Sequence, residues 1–196
     1  MQTVAPPPSL TGSEFQSQLA ELSEVYTKKL LATWSTSGVQ ATRTANEWLV
    51  IPSKPDFEGV IANGPPLKFD TKVCSAASFA WAPYRRETGG SKARQLKYML
   101  HRSKFGEICF FLIHWNAREL KKVKQPAETH IIPVVASDDY WEKVDAAEIR
   151  TLSREDGRAR GVVVEWAPFP IKPRPILLPA IFKFWGGGSL EVGVED

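Results

Sequence analysis

Apolar residues recur in steps of three and four at Phe15, Leu19, Leu22, Tyr26 and Leu30, the spacing that gathers side chains on one face of an α-helix. Thr11 or Ser13 supplies a cap before this run and Gly38 a stop after it, so a first amphipathic helix is expected between them. The pattern then shifts to short β-prone runs at residues 39–44, 47–51, 57–61 and 67–73. Asn63-Gly64 between the last two is a hairpin turn signal, and Pro65-Pro66 lengthens the loop. Residues 74–90 read as a loop rich in small residues that carries Phe79, Trp81 and Tyr84. A second helix is expected over residues 91–103, capped by Ser91, with Ala93, Leu96, Met99 and Leu100 inward. The nearly continuous apolar run EICFFLIHW, residues 107–115, reads as a central strand covered on both faces. A strand at 130–135, a short helix near 140–144 and a late strand at 161–166 follow, and the Pro-rich end from Pro168 is expected to wrap the surface. Helix, strand meander, helix and further strands predict an α/β fold, a mixed β-sheet flanked by helices. Residues 1–10, rich in proline, are expected to form a flexible tail ahead of a single domain spanning 11–196.

Length and composition agree with that reading. A chain of 196 residues, 43% hydrophobic and 24% charged, fits one compact domain able to bury a core. No apolar run is long enough to cross a bilayer, and the start MQTVAPPPSL has neither the basic residues nor the apolar stretch of a signal peptide. Cys74 and Cys109 stand alone, which excludes a disulfide framework and suits a reducing, cytoplasmic setting, nucleoid-associated or in a host cytoplasm. His101, His114 and His130 lack metal-ligand spacing and are expected to be structural.

The net charge of +3 is mild, but its distribution is not. Arg85, Arg86, Lys92, Arg94, Lys97, Arg102 and Lys104 face a single acid, Glu87, within one stretch, and Arg118, Lys121, Lys122 and Lys124 follow. Such clustering marks either a phosphate-binding face or an ordinary solvated helix surface.

Candidate chemistry concentrates in Pro55-Asp56-Phe57-Glu58-Gly59-Val60 and Phe69-Asp70-Thr71-Lys72. In a strand, Asp70 and Lys72 share a face while Thr71 points away. A turn at Asn63-Gly64 folds the first segment back so that Asp56 comes beside Asp70. Two carboxylates and an ammonium at one spot suit magnesium-assisted phosphodiester hydrolysis: hard oxygen ligands hold the ion, which keeps several waters, and lysine neutralises developing charge. The plainer alternative is a surface hairpin with a cross-strand Asp–Lys pair.

From Asp56 to about Trp115 the chain resembles RecU-type and archaeal-type Holliday junction resolvases of the PD-(D/E)xK nuclease superfamily. The shared order is Asp56-Phe57-Glu58-Gly59-Val60, Asp70-Thr71-Lys72, Ser78-Phe79, Gln95 on a helix, and Gly106-Glu107-Ile108-Cys109-Phe110-Phe111. The resemblance implies a restriction-endonuclease-like fold and a structure-selective endonuclease that cuts four-way DNA junctions with Mg2+, for which Mn2+ substitutes. It implies metal ligation by Asp56, Asp70 and the Thr71 carbonyl, catalysis by Lys72, and positioning of water or phosphate by Gln95. DNA contacts are expected from Arg85, Arg86, Lys92, Arg94, Lys97 and Trp81, whose ring suits base stacking. Paired cuts in a two-fold symmetric junction imply a homodimer.

One position departs from the family pattern. The first helix there carries a Glu four residues after a Gly and three before a Leu; Gly12 and Leu19 match, but the position itself is Gln16. Gln16 is then either a poor replacement for a metal ligand or the second half of a Ser13–Gln16 capping box, and Glu14, Glu21 or Glu24 takes its place if the register differs by a turn. Residues 46–55 leave room for only a short junction-inserting stalk. Besides the resolvase reading, a restriction-like or nicking nuclease of the same fold and a catalytically weakened DNA-binding protein stay open.

Overall fold

The computed structural model describes residues 7–37, 41–43, 48–50, 54–120, 122–167 and 173–185. Six strands form the central sheet: β1 Ala32–Thr36, β2 Phe57–Ile61, β3 Pro66–Cys74, β4 Ile108–Trp115, β5 Glu128–Pro133 and β6 Val162–Val164. They lie side by side in chain order. Every neighbouring pair is antiparallel except β3 and β4, which run parallel. A parallel pair needs a crossover, and helix α2, Ser91–Ser103, supplies it. The expected α/β class, a mixed sheet flanked by helices, is the architecture observed.

All eight positions of β4 are buried, because each face of the sheet has its own core. Phe110 and Leu112 join Phe15, Leu19 and Leu22 of α1, Gly12–Lys28, and Leu177 and Ile181 of a C-terminal helix, Leu177–Trp185. Phe111 and Ile113 face the other way, toward Leu96 and Met99 of α2 and Trp141 and Val144 of the helix Asp139–Asp145. On the α1 side Phe57, Phe69 and Phe110 stack across three strands with centroids 4.9 and 5.0 Å apart. Burying such a ring stabilises by roughly 1.5–3 kcal/mol, and a slip of one residue would turn each ring to the other face. The stack therefore fixes the register of Asp56, just before Phe57, and of Asp70, just after Phe69.

Several expectations need correction. Helix α1 stops at Lys28, ten residues before Gly38. Leu30 turns left-handed (φ 55) and the amide of Leu31 bonds back to the Tyr26 carbonyl, a helix-ending motif that normally uses glycine. Leu30 is consequently exposed rather than inward, and β1 occupies chain assigned to the helix. Gly90, not Ser91, occupies the N-cap of α2. In the stretch read as loop, Ser78–Ala80 pairs with Thr151–Ser153. The end expected to wrap the surface includes the core helix Leu177–Trp185. The tail is anchored at its last residues, since Leu10 exchanges hydrogen bonds with the Asn116 side chain and Pro8 O meets His114.

Of the runs at 39–44 and 47–51, Ala41–Arg43 and Trp48–Val50 pair as a hairpin. The rest of those runs, much of the 46–55 stalk, Lys121, residues 1–6 and much of the C-terminal end lie outside the described residues.

Gly59 of β2 packs where β1 crosses closest: a Cβ there would sit 2.2 Å from the Thr33 carbonyl. Only glycine fits that approach.

Candidate active site

Beyond the Phe57–Phe69 pair the β2–β3 register carries Asp56 toward Asp70. The Asp56 Oδ2 atom accepts hydrogen bonds from the Thr71 amide at 2.9 Å and the Thr71 hydroxyl at 2.6 Å. Lys72, two positions after Asp70 and on its face, places Nζ 2.5 Å from Asp70 Oδ2 and 3.8 Å from Asp56 Oδ2. From α2, Gln95 Nε2 donates to Asp70 Oδ1 at 2.6 Å and to the Lys54 carbonyl at 3.0 Å. The crossover helix thus ties Asp70 of β3 to the backbone just ahead of β2. Asp56, Asp70, Lys72 and Gln95 are brought together as expected.

The Thr71 side chain points to the α1 face, as strand alternation requires, and there meets Gln16 Nε2 at 3.3 Å. Gln16 therefore lies beside the site. The capping box of α1 is built instead by Thr11 and Glu14, which removes the capping explanation for Gln16. The orienting role of the Thr71 hydroxyl was not anticipated; its only sequence signal is a hydrogen-bonding side chain between Asp70 and Lys72.

Burial divides the site. The Asp70 side chain is fully buried, whereas those of Asp56 and Lys72 are 25% and 20% exposed, so the site opens on their side. Burial pushes the Asp70 carboxyl up to about 7; the Lys72 charge opposes this and the Asp56 charge adds to it. Burial also works to raise Asp56, but the Lys72 ammonium and the two Thr71 donors outweigh it and hold Asp56 below the usual carboxylate range. Carboxylates in close contact resist joint ionisation, and here it is the buried Asp70 that is pushed up while Asp56 is held down.

Among the described residues no three His, Cys, Asp or Glu side chains cluster to hold a metal ion. Glu58 shares the face of Asp56, but it is engaged by Lys68 at 3.1 Å and Lys54 at 3.5 Å. Two aspartates remain. That set fits a hard cation that retains several waters and needs few protein oxygens, and it does not fit a closed tetrahedral zinc site.

The expected DNA-contacting residues separate. Lys92, Arg94 and Lys97 are exposed on α2. Arg86 is exposed but paired with Asp145 at 2.9 Å, and the Arg85 side chain is largely covered, 3.5 Å from Glu87. Trp81 must be corrected: it is fully buried among Phe79, Tyr84, Phe111 and Trp141, with its indole N–H donated to the Tyr140 hydroxyl at 2.7 Å. No base can stack on it. The free cysteines Cys74 and Cys109 are buried, and His114 and His130 are core residues.

No protein-family model matches the chain, and no curated protein matches it. Among solved structures the chain is similar to Hjc of Archaeoglobus fulgidus, a Holliday junction resolvase from an archaeal hyperthermophile. The TM-score is 0.43 at 10% identity, with 76% of this chain and 93% of that chain covered. No helix among the described residues is long and apolar enough to cross a membrane.

Proposed function

We propose that this chain is a metal-dependent endodeoxyribonuclease with a restriction-endonuclease-like core, acting on four-way DNA junctions as a homodimer in the cytoplasm. The observation that carries the nuclease reading is the convergence of Asp56, Asp70, Lys72 and Gln95 on two adjacent strands and the crossover helix. Asp56 and Asp70, with the Thr71 carbonyl, would hold Mg2+ or Mn2+. A cation so placed polarises a phosphate oxygen and lowers the pKa of a bound water.

The protein's own side chains divide the remaining work. Gln95 fixes the Asp70 rotamer, and Thr71, itself touched by Gln16, fixes that of Asp56. Lys72 turns from the carboxylates to the phosphate and offsets the negative charge that grows during attack. Lys92, Arg94 and Lys97 supply sequence-independent affinity for the DNA backbone. The junction as substrate rests on the ordered motif set from Asp56 to Phe111, and the homodimer on the two-fold symmetry of paired cuts.

A second reading, a catalytically weakened DNA-binding protein, is favoured by the two-carboxylate site and the amide at Gln16. Incubating a synthetic four-way junction and a matching duplex with the protein, in Mg2+ and in EDTA, separates the readings. Junction cleavage only in Mg2+, lost in Asp70→Asn while binding in Ca2+ persists, supports the proposal. Equal cutting of duplex points to a restriction-like or nicking nuclease, and binding without cutting to the weakened form.

A further inference from the structure

Tyr84 lies in the turn Ala82–Tyr84 that precedes α2. Its ring is locked by edge-on packing on Trp81 and Phe111, at 5.6 and 5.2 Å, and by tilted contact with Phe79 at 5.9 Å. Phe111 pairs with Asp70 in the parallel β3–β4 register, so the ring stands on the face that carries the site. The residue is only 2% exposed, yet its hydroxyl has no hydrogen-bond partner among the described residues. Burying a hydroxyl without a partner is unfavourable, because its lost hydrogen bond to water is not replaced. A phenylalanine would make the same ring contacts without that cost.

We infer that Tyr84 is a positioning residue of this site, its hydroxyl held as a donor for the buried Asp70 carboxylate. The inference rests on the nuclease reading for its role in catalysis, and the Tyr84–Asp70 coupling on the shared sheet face, the contact with Phe111 beside Asp70 and the buried, unpartnered hydroxyl. The hydroxyl lies within electrostatic reach of both carboxylates, and burial together with their charges keeps the phenol protonated, hence able to donate. Gln95 covers Asp70 Oδ1, while Oδ2 is ion-paired with the Lys72 ammonium and has no hydrogen-bond partner among the described residues. When Lys72 swings toward a phosphate, Asp70 Oδ2 loses that ion pair. The Tyr84 O–H, directly or through one buried water, supplies the replacement and keeps the carboxylate from rotating away. The exposed Lys92 has its ammonium 5.7 Å from the Tyr84 ring centroid, so the basic face of α2 begins beside this device.

Tyr84→Phe, compared with the wild type, tests the role. Thermal midpoint and junction binding in Ca2+ should be unchanged or the midpoint raised, while kcat falls by roughly 10- to 100-fold, the range expected for one lost hydrogen bond to a charged group. A variant that cleaves at the wild-type rate, or one that melts lower in proportion to its lost rate, overturns the inference. A second measurement needs no cleavage: with ring-carbon-labelled tyrosine in metal-free protein, the Tyr84 Cζ resonance should move between wild type and Asp70→Asn. An unmoved resonance overturns the coupling. A moved resonance in a protein that cuts no DNA upholds the coupling while the nuclease reading falls.

Discussion

Gln16 and Thr71 meet at the edge of the site, with Gln16 Nε2 3.3 Å from the Thr71 hydroxyl that itself donates to Asp56 at 2.6 Å. A residue from the helix on one face of the sheet thereby reaches the carboxylate pair on the other. Since Glu14 closes the capping box, the amide of Gln16 has no part in capping the start of the helix. Its effect is to be sought in the site.

Gln16→Glu should therefore add a third carboxylate where a cation would sit. Without metal the variant should melt lower, because like charges crowd Asp56. Mg2+ should raise its melting midpoint more than that of the wild type, since a ligand stabilises according to its affinity for the folded state, and cleavage should quicken. Equal Mg2+-induced shifts in both proteins would show that position 16 does not face the metal.

The basic face of α2 makes a separate prediction. Arg94 and Lys97 are exposed there, so Arg94→Ala and Lys97→Ala should weaken binding to junction and duplex alike. Each lost phosphate contact should reduce the slope of log K against log salt by about 0.9. An unchanged slope in fluorescence-anisotropy titrations would place DNA on another face.

His114 predicts acid sensitivity of folding. Its ring is fully buried, with Nε2 2.9 Å from the Pro8 carbonyl and Nδ1 2.8 Å from the Thr129 hydroxyl, which also accepts from Trp166. A carbonyl only accepts, so Nε2 carries the proton of the neutral ring. Burial lowers the pKa from 6.5 to about 4. The unfolded chain then binds the extra proton first as pH falls. The neutral ring's contribution is complete above about 6.5, declines below it, and is gone once pH passes below about 4. At neutral pH it amounts to on the order of 3 kcal/mol. Urea titrations from pH 7 to 4.5 should show the wild type converging on His114→Gln, which does not titrate. A constant gap between them would contradict this.

Local pattern carried much of the fold. The strand at 57–61 and the helix at 91–103 stand where alternation and spacing put them, and the eight-residue β4 is buried throughout because its residues are apolar on both sides. The site was legible for the same reason. Side-chain period in a strand places Asp70 and Lys72 together, and a short hairpin brings Asp56 to meet them. These relationships depend on near neighbours in the chain.

What went unread depends on contacts between distant segments. Trp81 looks like an exposed aromatic in a loop, but Phe111 of β4 and the Asp139–Asp145 helix, arriving some sixty residues later, close over it. Leu30 continues a helical stripe in sequence, yet the chain turns left-handed there because Leu31 and Ala32 are needed against the sheet. The early arrival of β1, the anchoring of Pro8 and Leu10, and the hydroxyl that joins Gln16 to Asp56 are likewise products of packing.

The sequence by itself determined which side chains could do chemistry and which faces they would share, because strand and helix periods follow from backbone geometry alone. The tertiary structure decided which of them are buried, charged or reachable. Solvation and electrostatics are set by everything packed around a group: burial pushes the Asp70 carboxyl up to about 7, and Gln95 of the crossover helix caps one of its oxygens.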